Sequence, residues 1–259
     1  MSGPRDTWAA GAAYEPFIGR WSRPVAAEFV RWLEVPAGGR WLDVGCGTGA
    51  LTEIVLAGAD PREVVAVDPS EAFVRHAAAH VADLRASFAP GSATELPRGP
   101  FDVVVSGLVL NFVPDPAAAL AAMRGVAPGG RIAAYVWDYA EGMGLLREFW
   151  DAAVRLDPEA APLDEATRFP ICRPEPLERL WREADLDQVA VRAIEVPTVF
   201  GRFEDLWSPF LGGQGPAPSY LASLTERRRS ALREALRSRL GDGVIKMRAR
   251  AWAVRGRVG

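Results

Sequence analysis

Apolar residues recur at two different periods along this chain. From Pro24 to Leu33 they fall at Val25, Ala26, Phe29, Val30 and Leu33, the spacing of one helix face, and Pro36 with the glycines at 38 and 39 closes the segment. Beyond it, short unbroken apolar runs alternate with helical stretches. Residues 41–44 predict a first strand, 50–58 a helix, 64–67 a second strand, and 70–82 a second helix with Ser70 as its N-cap. Residues 84–88, 102–105 and 131–137 predict three more strands, with a helix over 116–126 and a Pro-Gly-Gly turn before the last strand. Strands without polar alternation are covered on both faces, so the pattern predicts an α/β fold with a mostly parallel, doubly wound sheet.

The remainder reads differently. Residues 141–155 and 175–184 look helical, and 189–196 and 244–254 look like strands. Between those strands lie 203–211, a glycine–proline link at 212–218, and a helical stretch over 219–240. No shift of composition marks a boundary. The expectation is one domain over 1–259: an N-terminal helical cover (1–36), a cofactor-binding core (37–138), and lid helices with the last two strands (139–259). Trp207, Phe210, Leu211, Gln214 and Tyr220 make the expected lid aromatic and glycine-rich, which suits an apolar acceptor or simply packs the lid.

The 259 residues are 49% hydrophobic and 24% charged, enough to bury a sizeable core. A formal net charge of -3 supplies no excess of cations for a phosphate backbone, which argues against a nucleic-acid partner. Arg227, Arg228 and Arg229 are flanked by Glu226 and Glu234 and read as a solvated helix face. Two distant cysteines, Cys46 and Cys172, make no disulfide scaffold and fit a reducing compartment. The first residues lack the pattern of a signal peptide, and no apolar run has the ~20 residues that a bilayer requires. A cytoplasmic protein with no membrane partner is expected. His76 and His80 stand four apart, a spacing that can grip a metal, but alanines fill the gap and no third ligand is near; no metal is expected.

The chemistry concentrates in Trp41-Leu42-Asp43-Val44-Gly45-Cys46-Gly47-Thr48-Gly49, where a strand runs into a glycine turn and then a helix. Such glycines allow positive φ and close approach of a ligand to the backbone, beyond the carboxyl ends of the strands. Gly45, Gly47 and Ala50 also satisfy the dinucleotide fingerprint. Asp43, however, sits where a dinucleotide strand is apolar. It can order the turn through backbone N–H groups, and its charge suits a cationic ligand and repels a pyrophosphate. Asp68, ending the second strand before Pro69, is an acceptor-only group that can take two ribose hydroxyls.

The stretch from Asp43 to Gly49 resembles motif I of the class I S-adenosylmethionine-dependent methyltransferases, of the small-molecule type. Further segments follow in that family's order. Asp68 is similar to the ribose-binding acid, Gly91–Pro97 to the adenine-binding loop, and Phe101–Ser106 with Leu108 and Asn111 to the fourth strand and its mouth. Ala127–Gly130 resembles the turn before strand five. The match covers residues 14–138. It implies a Rossmann-like sheet, mostly parallel with one antiparallel C-terminal strand, and a helical lid over the carboxyl ends. It also implies S-adenosyl-L-methionine as cofactor, held by Tyr14, Arg20, Asp43, Gly45, Cys46, Gly47, Gly49, Asp68, Pro69, Ala93, Thr94 and Leu108. Arg20, with Tyr14, is placed on the methionine carboxylate, ahead of Arg23. The adenine loop carries Ser92 where the family often has aspartate, which leaves the hydroxyl or the backbone at Ala93 and Thr94 to meet adenine.

Methyl transfer is an in-line displacement that chiefly needs alignment and exclusion of water. Asn111 and Tyr139 are the candidate catalytic residues, with Trp137 and Asp138 beside them; Cys46 has no base near it in sequence to make it a nucleophile. The expected reaction is methylation of a small molecule at oxygen, nitrogen or carbon, by a monomer or homodimer. Two other readings remain: an NAD(P)-dependent oxidoreductase, and a catalytically idle S-adenosylmethionine-binding partner protein.

Overall fold

The computed structural model describes residues 18–212 and 215–259. The chain divides into two compact units. One holds Ser22–Trp137, Ile171–Ile194 and Ala251–Gly259; the other holds Asp138–Pro170 and Glu195–Arg250, with the described residues up to Trp21.

The larger unit opens with α1 (Ser22–Leu33), which buries Val25, Ala26, Phe29, Val30 and Leu33, the apolar face that the spacing predicts. There follow β1 (Arg40–Val44), α2 (Ala50–Gly58), β2 (Glu63–Asp68), α3 (Glu71–His80), β3 (Ala86–Pro90), β4 (Val103–Gly107), α4 (Pro116–Val126) and β5 (Arg131–Trp137). β1 lies between β2 and β4, parallel to both, with Asp43 level with Ala66 and Val105. β2 pairs with β3 and β4 with β5, again parallel. β1, β4 and β5 carry almost no exposed residue, because helices cover both faces. Two helix starts are set by side chains: the Ser70 hydroxyl accepts from the Phe73 N–H, and Asp115 accepts from the Ala118 N–H ahead of Pro116.

Later elements are α5 (Gly144–Leu156), α6 (Glu165–Arg168), α7 (Pro174–Glu183), β6 (Leu186–Phe200), α8 (Phe203–Trp207), α9 (Pro216–Ser223), α10 (Glu226–Leu240) and β7 (Ile245–Val258). The sheet has seven strands in the order β3-β2-β1-β4-β5-β7-β6. β7 runs antiparallel to β5, from Trp137 against Ala251 to Arg131 against Arg257. The mostly parallel sheet with an antiparallel C-terminal strand is therefore observed.

Three expectations need correction. The helix over 219–240 is two helices, because the Thr225 hydroxyl caps a new start at the Arg228 N–H; the earlier one begins at Pro216, inside the expected link. The helix expected from 141 begins at Gly144, since the Asp138 carboxylate takes the N–H groups of Ala140 and Glu141 into a turn. The third strand begins at Ala86 rather than 84, because Asp83 accepts from the Arg85 N–H and Leu84 stands fully exposed.

In the smaller unit, α5 buries Leu145, Leu146, Phe149 and Trp150. Phe149 stacks on Phe210 at 4.6 Å, and Trp150 lies 5.4 Å from Tyr220. Trp207 sits 6.3 Å from Phe203. These aromatic residues form that unit's own core, whereas Leu211 is exposed and Gln214 lies outside the described residues.

Candidate functional site

At the carboxyl end of β1 the chain turns through three glycines, all at positive φ: Gly45 (77°), Gly47 (53°) and Gly49 (91°). The two outer glycines are packed tightly. A Cβ on Gly45 would stand 2.6 Å from a Val109 methyl, and one on Gly49 would stand 2.9 Å from Val81. Gly47 differs, since nothing lies within 4 Å of the position its Cβ would take. The turn thus leaves open backbone at its middle and pins itself at both sides.

Asp68 does the pinning from β2. One carboxylate oxygen accepts from the Gly47 N–H at 2.9 Å and the other from the Ser70 N–H at 2.8 Å. Each oxygen keeps a further lone pair for a ligand hydroxyl. Burial pushes the Asp68 carboxyl above its ordinary range, and those two N–H donors pull it back. Gly45 and Cys46 both donate to the Val67 carbonyl, so β2 fixes the turn twice.

Asp43 lies beneath the turn, 1% exposed. The sequence reading has it ordering the turn through backbone N–H groups. Instead, one oxygen accepts from the Thr52 hydroxyl at 2.7 Å, on the first turn of α2. Its other oxygen is buried with no hydrogen-bond partner among the described residues. Burial, with the nearby Asp68 charge adding to it and the Thr52 hydrogen bond opposing it, pushes the Asp43 carboxyl up to about 7. Two acids close together, both stripped of hydration by burial, favour a cation beside them.

The mouth of β4 is also tightly set. Gly107 lies under the Tyr135 ring, where a Cβ would meet the hydroxyl at 2.7 Å. Leu108 takes φ 63°, rare for a leucine, and donates its N–H to the Tyr135 carbonyl at 2.7 Å. The short helical turn Leu110–Phe112 follows, and the Asn111 amide nitrogen is buried there without a hydrogen-bond partner among the described residues. A buried donor left unpaired costs about 1–3 kcal/mol, so Asn111 is suited to a ligand oxygen.

The larger unit thus brings together Asp43, Gly45, Cys46, Gly47, Gly49 and Asp68, with Leu108 following the Val109-facing mouth of β4. Pro69 is exposed and turns the chain between Asp68 and α3. Cys46 is 6% exposed and its thiol is pushed upward by burial and then by the Asp43 and Asp68 charges, the opposite of a nucleophile's needs. Ala93 is half-buried and Thr94 exposed. The Ser92 hydroxyl already accepts from the Glu95 N–H at 3.0 Å and lies 3.3 Å from the Thr94 hydroxyl, so it holds its own loop in shape. Arg23 is engaged by Glu53 through Nε at 3.1 Å and Nη2 at 3.0 Å.

Arg20, Asp138 and Tyr139 belong to the smaller unit. The Arg20 guanidinium lies 4.7 Å from the centres of both the Trp21 and Phe200 rings. Asp138 is held by Arg250 at 2.6 Å and by two backbone N–H groups, which makes it a structural anchor rather than a free base. Tyr139 is buried, 5.7 Å from the Phe169 ring. Tyr14 lies outside the described residues. Sequence reasoning missed Val109, Thr52 and Tyr135. Thr52 was findable as a polar residue on the first turn after a glycine loop; Val109 and Tyr135 act through contacts that only the fold creates.

Residues 42–134 match the family described as "Methyltransferase domain". The ubiquinone biosynthesis O-methyltransferase of Azotobacter vinelandii is 40% identical over 114 residues, 40% of this chain and 47% of that protein. The ribosomal protein L11 methyltransferase of Burkholderia multivorans is 36% identical over 119 residues, 45% of this chain and 38% of that protein. The match therefore spans less than half the length of either curated relative. Residues 42–134 form a methyltransferase domain of the class I S-adenosylmethionine-dependent type. At the level of fold, phosphoethanolamine N-methyltransferase 2 of Haemonchus contortus, solved in complex with S-adenosyl-L-methionine, superimposes with a TM-score of 0.56. It is 20% identical and covers 95% of this chain and 56% of that one. The cofactor of this domain family is S-adenosylmethionine, and the residues present fit it: open glycine backbone, an acid at the end of β2 in Asp68, and a buried acid in Asp43.

Proposed function

We propose that this chain binds S-adenosylmethionine at the glycine turn and transfers its methyl group to a small molecule bearing an oxygen, nitrogen or carbon nucleophile. The observation that carries the reading is the turn itself: open at Gly47, tied to Asp68, and underlain by the buried Asp43. The cofactor supplies a methyl group that its sulfonium has already made electrophilic. Asp68 is assigned to the ribose hydroxyls, the Gly47 backbone to close approach, and the Asp43 charge to a cation. Asn111 is a donor in need of an acceptor atom and is assigned to orienting the nucleophile.

The named relatives include a ubiquinone biosynthesis O-methyltransferase and a ribosomal protein L11 methyltransferase. The small-molecule reading is favoured by a net charge of -3, which gives the chain no overall excess of cations for nucleic acid. Two free cysteines are in keeping with a cytoplasmic setting, where the chain is taken to act as a monomer or homodimer. The test is calorimetric titration with S-adenosylhomocysteine, with NADH and NADPH in parallel, followed by an assay of S-adenosylhomocysteine formation on small acceptors. Micromolar binding of S-adenosylhomocysteine alone supports the assignment. Binding of a nicotinamide nucleotide instead, or methylation of protein acceptors only, overturns it; binding with no turnover on any acceptor points to an idle partner protein.

A further inference from the structure

The opposite end of the same sheet carries a second polar cleft, of about 530 Å³. It lies at the amino ends of β1, β4 and β5, while the glycine turn lies at the carboxyl end of β1. The five residues of β1 separate the two by ~15 Å, at ~3.3 Å of rise each. Two glycine turns form part of its wall, Gly38–Gly39 before β1 and Gly129–Gly130 before β5. Neither Gly38 nor Gly129 has any atom within 4 Å of the position a Cβ would take, so the backbone there faces open space.

Three arginines line this cleft: Arg62, Arg131 and Arg257. In a chain of net charge -3 that is a marked local concentration of positive charge. The sheet itself forces two of them together, because Arg131 of β5 and Arg257 of β7 are direct cross-strand partners. Like charges placed opposite each other on adjacent strands are destabilising. The Arg62 backbone is tied to the first glycine turn, its N–H donating to the Gly39 carbonyl at 2.9 Å, and its side chain is exposed. Two acidic side chains lie near: Asp102, which also lines the cleft, accepts from the Arg40 backbone N–H at 2.7 Å, and Glu34 pairs with Arg255 at 3.4 Å. Arg131 retains a buried guanidinium nitrogen, Nη1, with no hydrogen-bond partner among the described residues. Burial, then the Arg255 and Arg257 charges, press its pKa downward, with the Glu34 charge opposing them.

The geometry points to an anion site in this cleft, built from Arg62, Arg131 and Arg257, that takes the phosphate group of a small molecule or inorganic phosphate itself. A tetrahedral dianion offers acceptors to several guanidinium donors at once and offsets the Arg131–Arg257 repulsion. This assignment does not depend on the methyltransferase reading, since no residue is shared with the glycine turn.

The test titrates the full chain with inorganic phosphate at constant ionic strength, with S-adenosylhomocysteine present and absent, and follows both heat and thermal unfolding. Saturable binding of one phosphate, with a rise in Tm that chloride does not reproduce, is expected in both conditions. Arg131→Gln should weaken binding by roughly tenfold or more, the loss of a charge-assisted hydrogen bond. It should also raise the Tm of the phosphate-free protein, since a repulsion is removed; a merely structural arginine would lower it. Arg257→Gln, at an exposed position, gives the same comparison if Arg131→Gln does not fold. Glycerol phosphate bound more tightly than inorganic phosphate identifies a phosphate ester as the ligand, and the reverse order identifies free phosphate. Unsaturable heats, affinity unchanged in both variants, or binding confined to RNA or DNA would overturn the assignment.

Discussion

The two ends of one sheet present opposite chemistry. At the carboxyl ends of β1 and β2, two buried acids, Asp43 and Asp68, stand under a turn of open backbone. At the amino ends, three arginines face a cleft walled by two glycine turns. Both ends keep unsatisfied polar atoms: Asp43 Oδ1 and the Asn111 amide nitrogen at one, Arg131 Nη1 at the other. In a parallel sheet the strands all point one way, so each loop set gathers at a single end and the two ends evolve separate surfaces. The difference teaches that polarity along one sheet is local: buried acids and a cluster of arginines lie ~15 Å apart, by the rise of β1.

The sharpest way to break that contrast is at Gly45. Gly45→Ala puts a Cβ 2.6 Å from Val109 at a φ of 77°. Strain and overpacking together should cost about 2–4 kcal/mol of stability, read by denaturant unfolding. Adding Val109→Ala should recover the overpacking share only; full recovery would show that φ costs nothing here. Asp68→Ala comes next. It should weaken S-adenosylhomocysteine binding by ~1.5–3 kcal/mol, roughly ten- to hundredfold, and leave phosphate binding at the other end unchanged. Unchanged cofactor affinity would place the ribose elsewhere.

The smallest effect on ligand binding concerns pH. The Asp43 carboxyl sits at about 7 in the folded chain against an ordinary 3.8, so the native state binds a proton more tightly than the unfolded one. Its contribution to stability is full below about pH 4 and is lost as pH rises through about 7. Asp68 is shifted in the same direction. Asp43→Asn should flatten that slope. Ionisation of Asp43 has the opposite effect on a cationic ligand. S-adenosylmethionine affinity should rise several-fold from pH 6 to 8, and S-adenosylhomocysteine affinity, without the sulfonium, should rise less. Equal pH dependence for the two would separate Asp43 from the sulfonium.

Much of this was legible along the chain, and the gaps have a common cause. Helix Pro116–Val126 and strand Arg131–Trp137 carry their own signals, a proline and aspartate at one start and a Pro-Gly-Gly turn at the other, and they stand where expected. The glycine turn was readable because Asp43 and its glycines are written in neighbouring residues, and Asp68 because it ends a strand ahead of Pro69. The break at Leu224–Thr225 was harder, since Thr225 is as ordinary in a helix as in a cap until the chain bends. Val109 behind Gly45, Tyr135 over Gly107 and Arg257 beside Arg131 were not legible at all. Each is a contact between residues that are distant in sequence, created by strand order.

Strand order has one more outcome, for the chain as it is being made. β7 follows β6 in sequence but lies between β5 and β6 in the sheet. While a ribosome is still extending the chain, β5 has a bare edge and β6 has no neighbour to bond. The pairing that covers the β5 edge needs Ile245–Val258, which is made after both. An exposed edge strand is a template for any passing strand. Until that last insertion, the nascent protein has most reason to need a chaperone.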